Sequence, residues 1–191
     1  PSLCVRKKDE KSFAEGIIRC SIPTHNTNLA LEGAMGLGFA YHYLACGCSL
    51  EQVMEKTLSG CRIGEDNSEY KVVGAGTYER IKLIEKYIPS FKTDDELSDF
   101  LYKVVGTGLG TNEVVPCAIG VFLYCGKDVF RAIKISSRLG GDTDTIGAIS
   151  GALCCLYAKT HNIPQEYIDK ISSLNNIDFK EYAHMIAEVF I

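Results

Sequence analysis

Residues 27–46 read TNLALEGAMGLGFAYHYLAC. Leu31, Met35, Phe39 and Tyr43 recur every four positions, which places them as one stripe along a helix and not on alternating faces of a strand. Ala30, Ala34 and Gly38 form a second ridge of small residues, the surface that lets a neighbouring helix approach closely. The stretch therefore predicts a long core helix. Just before it, PTHN (23–26) supplies a proline and capping side chains.

The helical reading extends in both directions from this segment. Ser49 opens LEQVMEKTLSG with Gln52 three residues on, a capping-box pattern, and Gly60 is expected to stop that helix. TYERIKLIEKYI (77–88) spaces Ile81, Ile84 and Ile88 on one side and meets Pro89. DDELSDFLYKVV (94–105) places Leu97, Leu101 and Val104 together, and VVPCAIGVFLYC (114–125) is apolar all round, the mark of a buried helix. KDVFRAIKISSRL (127–139) is amphipathic, 144–160 is again nearly all apolar, and a last helix is expected over 178–190. EDNSE (65–69) and Asn175–Asn176 read as loops. No strand alternation holds over six residues, and no internal repeat is present. The fold class is all-α, a multi-helix globular bundle, with 1–191 as a single domain.

Bulk properties narrow the function. The chain has 191 residues, 46% hydrophobic and 23% charged, with a net charge of −4. Arg6–Lys8 is too short for a basic patch, so nucleic acid and anionic membranes are not expected partners. Glu32 and His42 interrupt the most apolar stretch, so a membrane span is not expected either. The nine cysteines form no CxxC pair and lie at no finger spacing from a histidine, which argues against structural zinc. Reduced thiols, an intracellular (cytoplasmic) setting and no signal peptide are expected.

The chemistry gathers at SSRLGGDTDTIGAISGALCC (136–155). Gly140 and Gly141 can end one helix and turn the chain, and Asp142 or Thr143 can cap the next. Asp144 and Thr145 then occupy its first turn, where backbone N–H groups favour a carboxylate. The same residues also make a cluster of hard oxygen donors in which two aspartates repel unless a cation sits between them. The apolar run that follows suggests an interior helix mouth with little screening. Capping and ligation of a hard divalent ion such as Mg²⁺ both remain open on spacing alone.

LGGDTDTIGAISGAL resembles the C-terminal signature of the ADP-ribosylglycohydrolase family, which includes (ADP-ribosyl)hydrolases and the dinitrogenase-reductase-activating glycohydrolase. Three more stretches agree in order: PTHNTNLALEGAMGLGFAYHYLACG with its Thr-His start, GTGLGTNEVVPCAIGVFLYC with its early E-x-V-P, and HNIPQEYI, with Tyr167 where tryptophan is usual. The resemblance covers about residues 20–170. It implies an all-α fold with two Mg²⁺ ions in a cleft, ligated here by Asp142, Asp144 and Thr145. It implies that His25 lines the ADP-ribose cleft and that Gly108 and Leu109 contact substrate. The implied reaction is hydrolysis of the glycosidic bond of an ADP-ribose conjugate, such as an ADP-ribosylated protein, with segments nearest to the branch that cleaves serine and other O-linkages. The family also contains jellyfish lens crystallins, so a non-catalytic structural or ADP-ribose-binding role is the alternative.

The resemblance is incomplete. The family's N-terminal G-D-x-x-G and T-D-D-T motifs have no match before Thr24, so no catalytic residue is assigned, and N-terminal helices are expected to be missing. Apolar faces left uncovered would then favour self-association or a complementary chain. TDDE (93–96) imitates the absent motif but falls after His25, and it fits a capping box from Thr93 to Glu96. His42 reads as a core or surface histidine. Glu113 is explained by a helix start as readily as by substrate, and GAGTYERI (74–81) reads as a plain loop into a helix.

Overall fold

The computed structural model describes residues 9–190; Cys4 and the Arg6–Lys8 run lie outside them. The described chain is all-helical, with ten α-helices and no strand beyond one isolated bridge between Thr27 and Tyr70. α1 spans Glu10–Ser21, α2 Asn28–Ala45, α3 Leu50–Asp66, α4 Thr77–Tyr87 and α5 Asp94–Phe100. α6 spans Thr111–Cys125, α7 Val129–Ser136, α8 Thr143–Ala158, α9 Gln165–Asn175 and α10 Phe179–Phe190. No described helix is long and apolar enough to cross a membrane.

The predicted stripe on α2 is the centre of the core: Leu31, Met35 and Phe39 are fully buried. Its small residues work differently from the expected ridge. Gly36 faces Cys61, Gly38 faces Ile17 of α1, and Gly33 faces Thr111 of α6, so three glycines each seat a different neighbour. The closest approach comes from α3. A Cβ on Gly60 would lie 2.8 Å from the Met35 carbonyl oxygen, and one on Gly64 only 2.2 Å from that of Leu31. Gly60 is therefore not a stop. α3 continues to Asp66 because its glycines let two backbones touch, which outweighs their poor helix propensity of about 1 kcal/mol each. The capping box at Ser49 and Gln52 forms as expected, with both reciprocal bonds present.

α6 is buried without interruption from Val114 to Phe122. It contains Pro116, which has no N–H for the Asn112 carbonyl four residues earlier. Arg80 of α4 donates to that carbonyl at 2.6 Å and replaces the missing helical bond. After α5 a wide turn, Leu101–Val105, closes with a bond from the Gly106 N–H to the Leu101 carbonyl. The extra residue in this turn rotates the face, so Val105 is buried and Val104 is 55% exposed, the reverse of simple helical spacing. Thr93 caps α5 by accepting from the Glu96 N–H, but the Glu96 carboxylate accepts from Lys92 and not from Thr93, so the TDDE box is only half formed. His42 is buried and stacked on Phe13, a core histidine.

Candidate functional site

The N-terminal ends of α2, α4, α6 and α8 meet at one end of the bundle. Asn28, at the start of α2, holds residue 72 by two bonds, from its side-chain amide to the Val72 carbonyl and from the Val72 N–H to its side-chain oxygen. Asn112, at the start of α6, donates to Ala75. Between them Glu32, only 3% exposed, reaches from α2 to the start of α4 and accepts from the Tyr78 N–H at 2.7 Å. The GAGT turn thus packs around a carboxylate of the chain itself, and the space at Gly76 is filled by the Glu32 oxygens. Burial pushes the Glu32 carboxyl above its ordinary value, against the backbone bonds from Tyr78 and Thr77 that lower it. An open cavity of about 390 Å³ adjoins it, with Arg62, Glu65 and Glu79 in its wall. Beside it the Thr77 hydroxyl is buried without a hydrogen-bond partner among the described residues.

The signature turn sits next to the loop that precedes α6. Gly140 and Gly141 both adopt left-handed backbone, φ +77° and +74°, and end the chain segment after α7 as their sequence suggests. The Asp142 N–H then donates to the Thr107 carbonyl at 2.8 Å. Thr107 belongs to the glycine loop that carries Gly108 and Leu109. That loop is fixed from its other side by Glu113, whose carboxylate accepts the Gly108 N–H at 2.8 Å and lies 3.8 Å from Arg80. Glu113 is thus a positioning residue for the loop; the sequence signal was an acidic residue five positions after a glycine in a glycine-rich loop. Leu109 is 86% exposed.

Within 142–145, Asp142 stands at the N-cap of α8, yet its side chain makes no capping bond. The Asp144 carboxyl is held below its ordinary value, first by the neighbouring Asp142 side chain and then by the backbone N–H groups of Asp144 and Thr145 in the first turn. Both side chains keep their oxygens at the surface: Asp144 and Thr145 are exposed and Asp142 is half-buried. This corrects the expectation of an interior mouth. α8 buries only the face carrying Ile146, Ser150, Gly151, Leu153 and Cys154, and its outer face includes Asp144, Thr145, Ala148 and Ala152. Alanine in the pattern read as core, but it sits in solvent without much cost.

Five of the six site residues expected from sequence therefore lie together: Asp142, Asp144 and Thr145 on α8, with Gly108 and Leu109 on the loop docked against them. His25 lies on the α1–α2 turn, three residues before α2. It is exposed, its Nδ1 is 2.8 Å from the Thr24 hydroxyl, and no hydrogen bond or ion pair among the described residues joins it to the aspartates. The donor set on α8, two carboxyls and a hydroxyl, is of hard oxygens and fits part of a Mg²⁺ coordination sphere. Among the described residues no group of three or more His, Cys, Asp or Glu side chains is arranged to hold a metal.

The ADP-ribosylglycohydrolase family profile matches residues 2–190, and the chain belongs to that family. Among curated relatives, the uncharacterized protein YegU of Escherichia coli is 30% identical over 181 residues, covering 95% of this chain and 54% of that protein. ADP-ribosylhydrolase ARH3 of Xenopus tropicalis is 25% identical over 182 residues, covering 87% of this chain and 51% of that protein. The human ADP-ribosylhydrolase ARH3 is 28% identical over 164 residues, covering 75% and 44%. The chain spans about half the length of the curated relatives it matches.

Proposed function

We propose that this chain binds ADP-ribose conjugates and Mg²⁺ at the start of α8 and serves hydrolysis of the glycosidic bond of ADP-ribose. The observation that carries this reading is the set of oxygen donors at the start of α8: Asp142 stands at the N-cap without a side-chain capping bond, and Asp144 and Thr145 are exposed in the turn that follows. Two carboxyls two residues apart at one helix start repel each other unless a cation lies between them. Asp142, Asp144 and Thr145 would hold it, within a site of two Mg²⁺ ions. When bound, the metal supplies Lewis-acid polarisation of ribose hydroxyls and water.

The remaining residues bind and orient. The loop carrying Gly108 and Leu109 is kept in register with Asp142 by the bond to Thr107 and by Glu113, and the exposed Leu109 side chain offers an apolar surface on that loop. His25, with Nδ1 directed to Thr24, leaves Nε2 for a polar group of the ligand. Three oxygen donors leave an ion mostly hydrated, so the isolated chain binds Mg²⁺ weakly. The exposure of Asp144 and Thr145 favours a second reading, a non-catalytic ADP-ribose-binding or structural role.

The test is calorimetric titration of ADP-ribose with and without Mg²⁺, followed by assays of ADP-ribose release from modified serine and arginine. Mg²⁺-dependent binding that disappears in Asp144→Asn, with thermal unfolding unchanged, is the expected result. Binding that ignores both Mg²⁺ and the substitution would remove the metal reading. Binding without release on either substrate would select the non-catalytic role.

A further inference from the structure

At the opposite end of α2 the chain reads CGC, residues 46–48. The helix ends there in a Schellman turn: the Gly47 N–H bonds the Leu44 carbonyl at 3.0 Å and the Cys48 N–H bonds the Tyr43 carbonyl at 3.1 Å. Gly47 takes φ +77°, which folds Cys46 and Cys48 around it. Cys46 is exposed and Cys48 half-buried, whereas burial pushes the thiols of Cys117, Cys125 and Cys154 up to about 12 and leaves them inert.

Two basic groups flank this turn. The Cys46 Sγ lies 3.9 Å from Nε2 of His42, one helical turn earlier, and the His42 ring is fixed by stacking on Phe13 at 4.6 Å. Lys159, just after α8 and itself in left-handed backbone at φ +57°, places its ammonium 3.9 Å from where a Gly47 Cβ would sit. An exposed thiol 3.9 Å from an imidazole, in a turn that an ammonium approaches at its central glycine, is a setting in which thiolate chemistry occurs. Opposing it, the α2 C-terminus disfavours negative charge, an effect confined to the last turn and screened by water.

The geometry points to Cys46 and Cys48 as a thiol–disulfide exchange pair, with Cys46 the attacking thiol, Cys48 the resolving thiol and a low-molecular-weight disulfide of the glutathione type as oxidant. Cys46 passes its proton to His42 Nε2 and attacks one sulfur of the oxidant. The oxidant's S–S bond breaks, a mixed disulfide forms on Cys46, and the departing thiolate takes the proton from His42. Cys48 then attacks the Cys46 sulfur, and the second small thiolate leaves with the proton from Cys48. The protein dithiol is oxidised to a disulfide, and one small disulfide is reduced to two thiols. Residues two apart around a turn fall within the about 4.4–6.8 Å Cα separation that a disulfide spans. The pair lies at the far end of α8 from Asp142 and Asp144, beside Lys159, and does not depend on the hydrolase reading.

Cys20, exposed on α1, is an internal reference within the same molecule. With limiting iodoacetamide and peptide mass spectrometry on the full reduced chain, Cys46 is expected to react at least ~10-fold faster than Cys20. Lys159→Gln slows Cys46 and leaves Cys20 unchanged. On titration with oxidised glutathione the wild-type chain loses two hydrogens, Cys48→Ser accumulates one glutathione adduct on Cys46, and Cys46→Ser does neither. Protection of buried Cys61 and Cys117 in the same digests reports that each variant is folded. Equal rates at Cys20 and Cys46, an unaltered Cys46 rate in Lys159→Gln, or no adduct in Cys48→Ser would each overturn the assignment.

Discussion

Gly141 and Gly140 are adjacent, both left-handed, and differ in what surrounds them. A Cβ on Gly140 would rest 3.4 Å from the Tyr102 ring, an ordinary contact, whereas one on Gly141 would lie 1.9 Å from the Thr107 carbonyl oxygen. Gly140→Ala therefore costs about 1–2 kcal/mol, from backbone conformation alone. Gly141→Ala adds a clash with backbone that cannot turn aside, and costs about 3 kcal/mol or more. Because that carbonyl also receives the Asp142 N–H, Gly141→Ala separates the glycine loop from the aspartates, and under the proposed function ADP-ribose affinity is expected to fall with stability. Urea unfolding and calorimetry on the two variants read both effects; equal losses would refute the docking role. Glu32 carries the second single-residue prediction. Its folded-state pKa is raised, so its contribution is fully present below its unfolded value of about 4.5 and is lost as pH rises through the folded value. Stability measured from pH 4 to 8 is expected to fall in the wild type relative to Glu32→Gln over that window. Glu32→Ala, which leaves the Tyr78 N–H without its acceptor, loses about 1–3 kcal/mol at any pH. The aspartates and glycines of the signature were legible because six consecutive residues carry it. Glu32 was not, because a single carboxylate in an apolar stretch reads only as an interruption until the start of α4 is seen to need an acceptor.

Among elements, the α2–α3 pair depends most on small residues. Gly64 stands where a methyl would meet the Leu31 carbonyl oxygen at 2.2 Å and its carbon at 2.6 Å, all backbone. Gly64→Ala gains about 1 kcal/mol of helix propensity and is still expected to destabilise by about 2–4 kcal/mol, since two helices must move apart. Ala30→Gly, on the expected but half-buried ridge, loses only the propensity of about 1 kcal/mol. Denaturant midpoints of the two variants test which face of the pair is tight. Periodicity found the central helices because their stripes are long, and Gly60 misled because a glycine that ends a helix and one that seats a neighbour look alike in sequence. The turn at Leu101–Val105 escaped for a related reason: one extra residue per turn leaves the letters unchanged and moves burial from Val104 to Val105. α1 was hidden by charge, since its buried residues are only Phe13, Ala14 and Ile17, with Ile18 packed at their edge, among acidic and basic neighbours.

Across the whole molecule stability is unevenly spread. α1 to α8 share one apolar core, but α9 buries none of its residues and no described side chain of α10 is buried. α9 is held where Tyr167 meets the Phe130 ring at 5.3 Å, after Asn162 bonds both Asp128 and the Phe130 N–H. Yet both helices carry apolar stripes: Ile171 and Leu174 are 49% and 74% exposed, and Phe179, Tyr182, Met185 and Ile186 are about half exposed. A stripe that contributes little to folding costs little when changed, so Ile171→Glu with Leu174→Glu is expected to alter stability by no more than about 0.5 kcal/mol per site. The same double substitution is expected to reduce binding of an apolar dye and any concentration-dependent self-association seen by light scattering. Hydrogen exchange separates this account from its opposite. Amides of α9 and α10 should exchange by local opening well before those of α2 and α6, whose protection tracks global unfolding; protection of α9 equal to that of α6 would mean that the C-terminal pair belongs to the core after all.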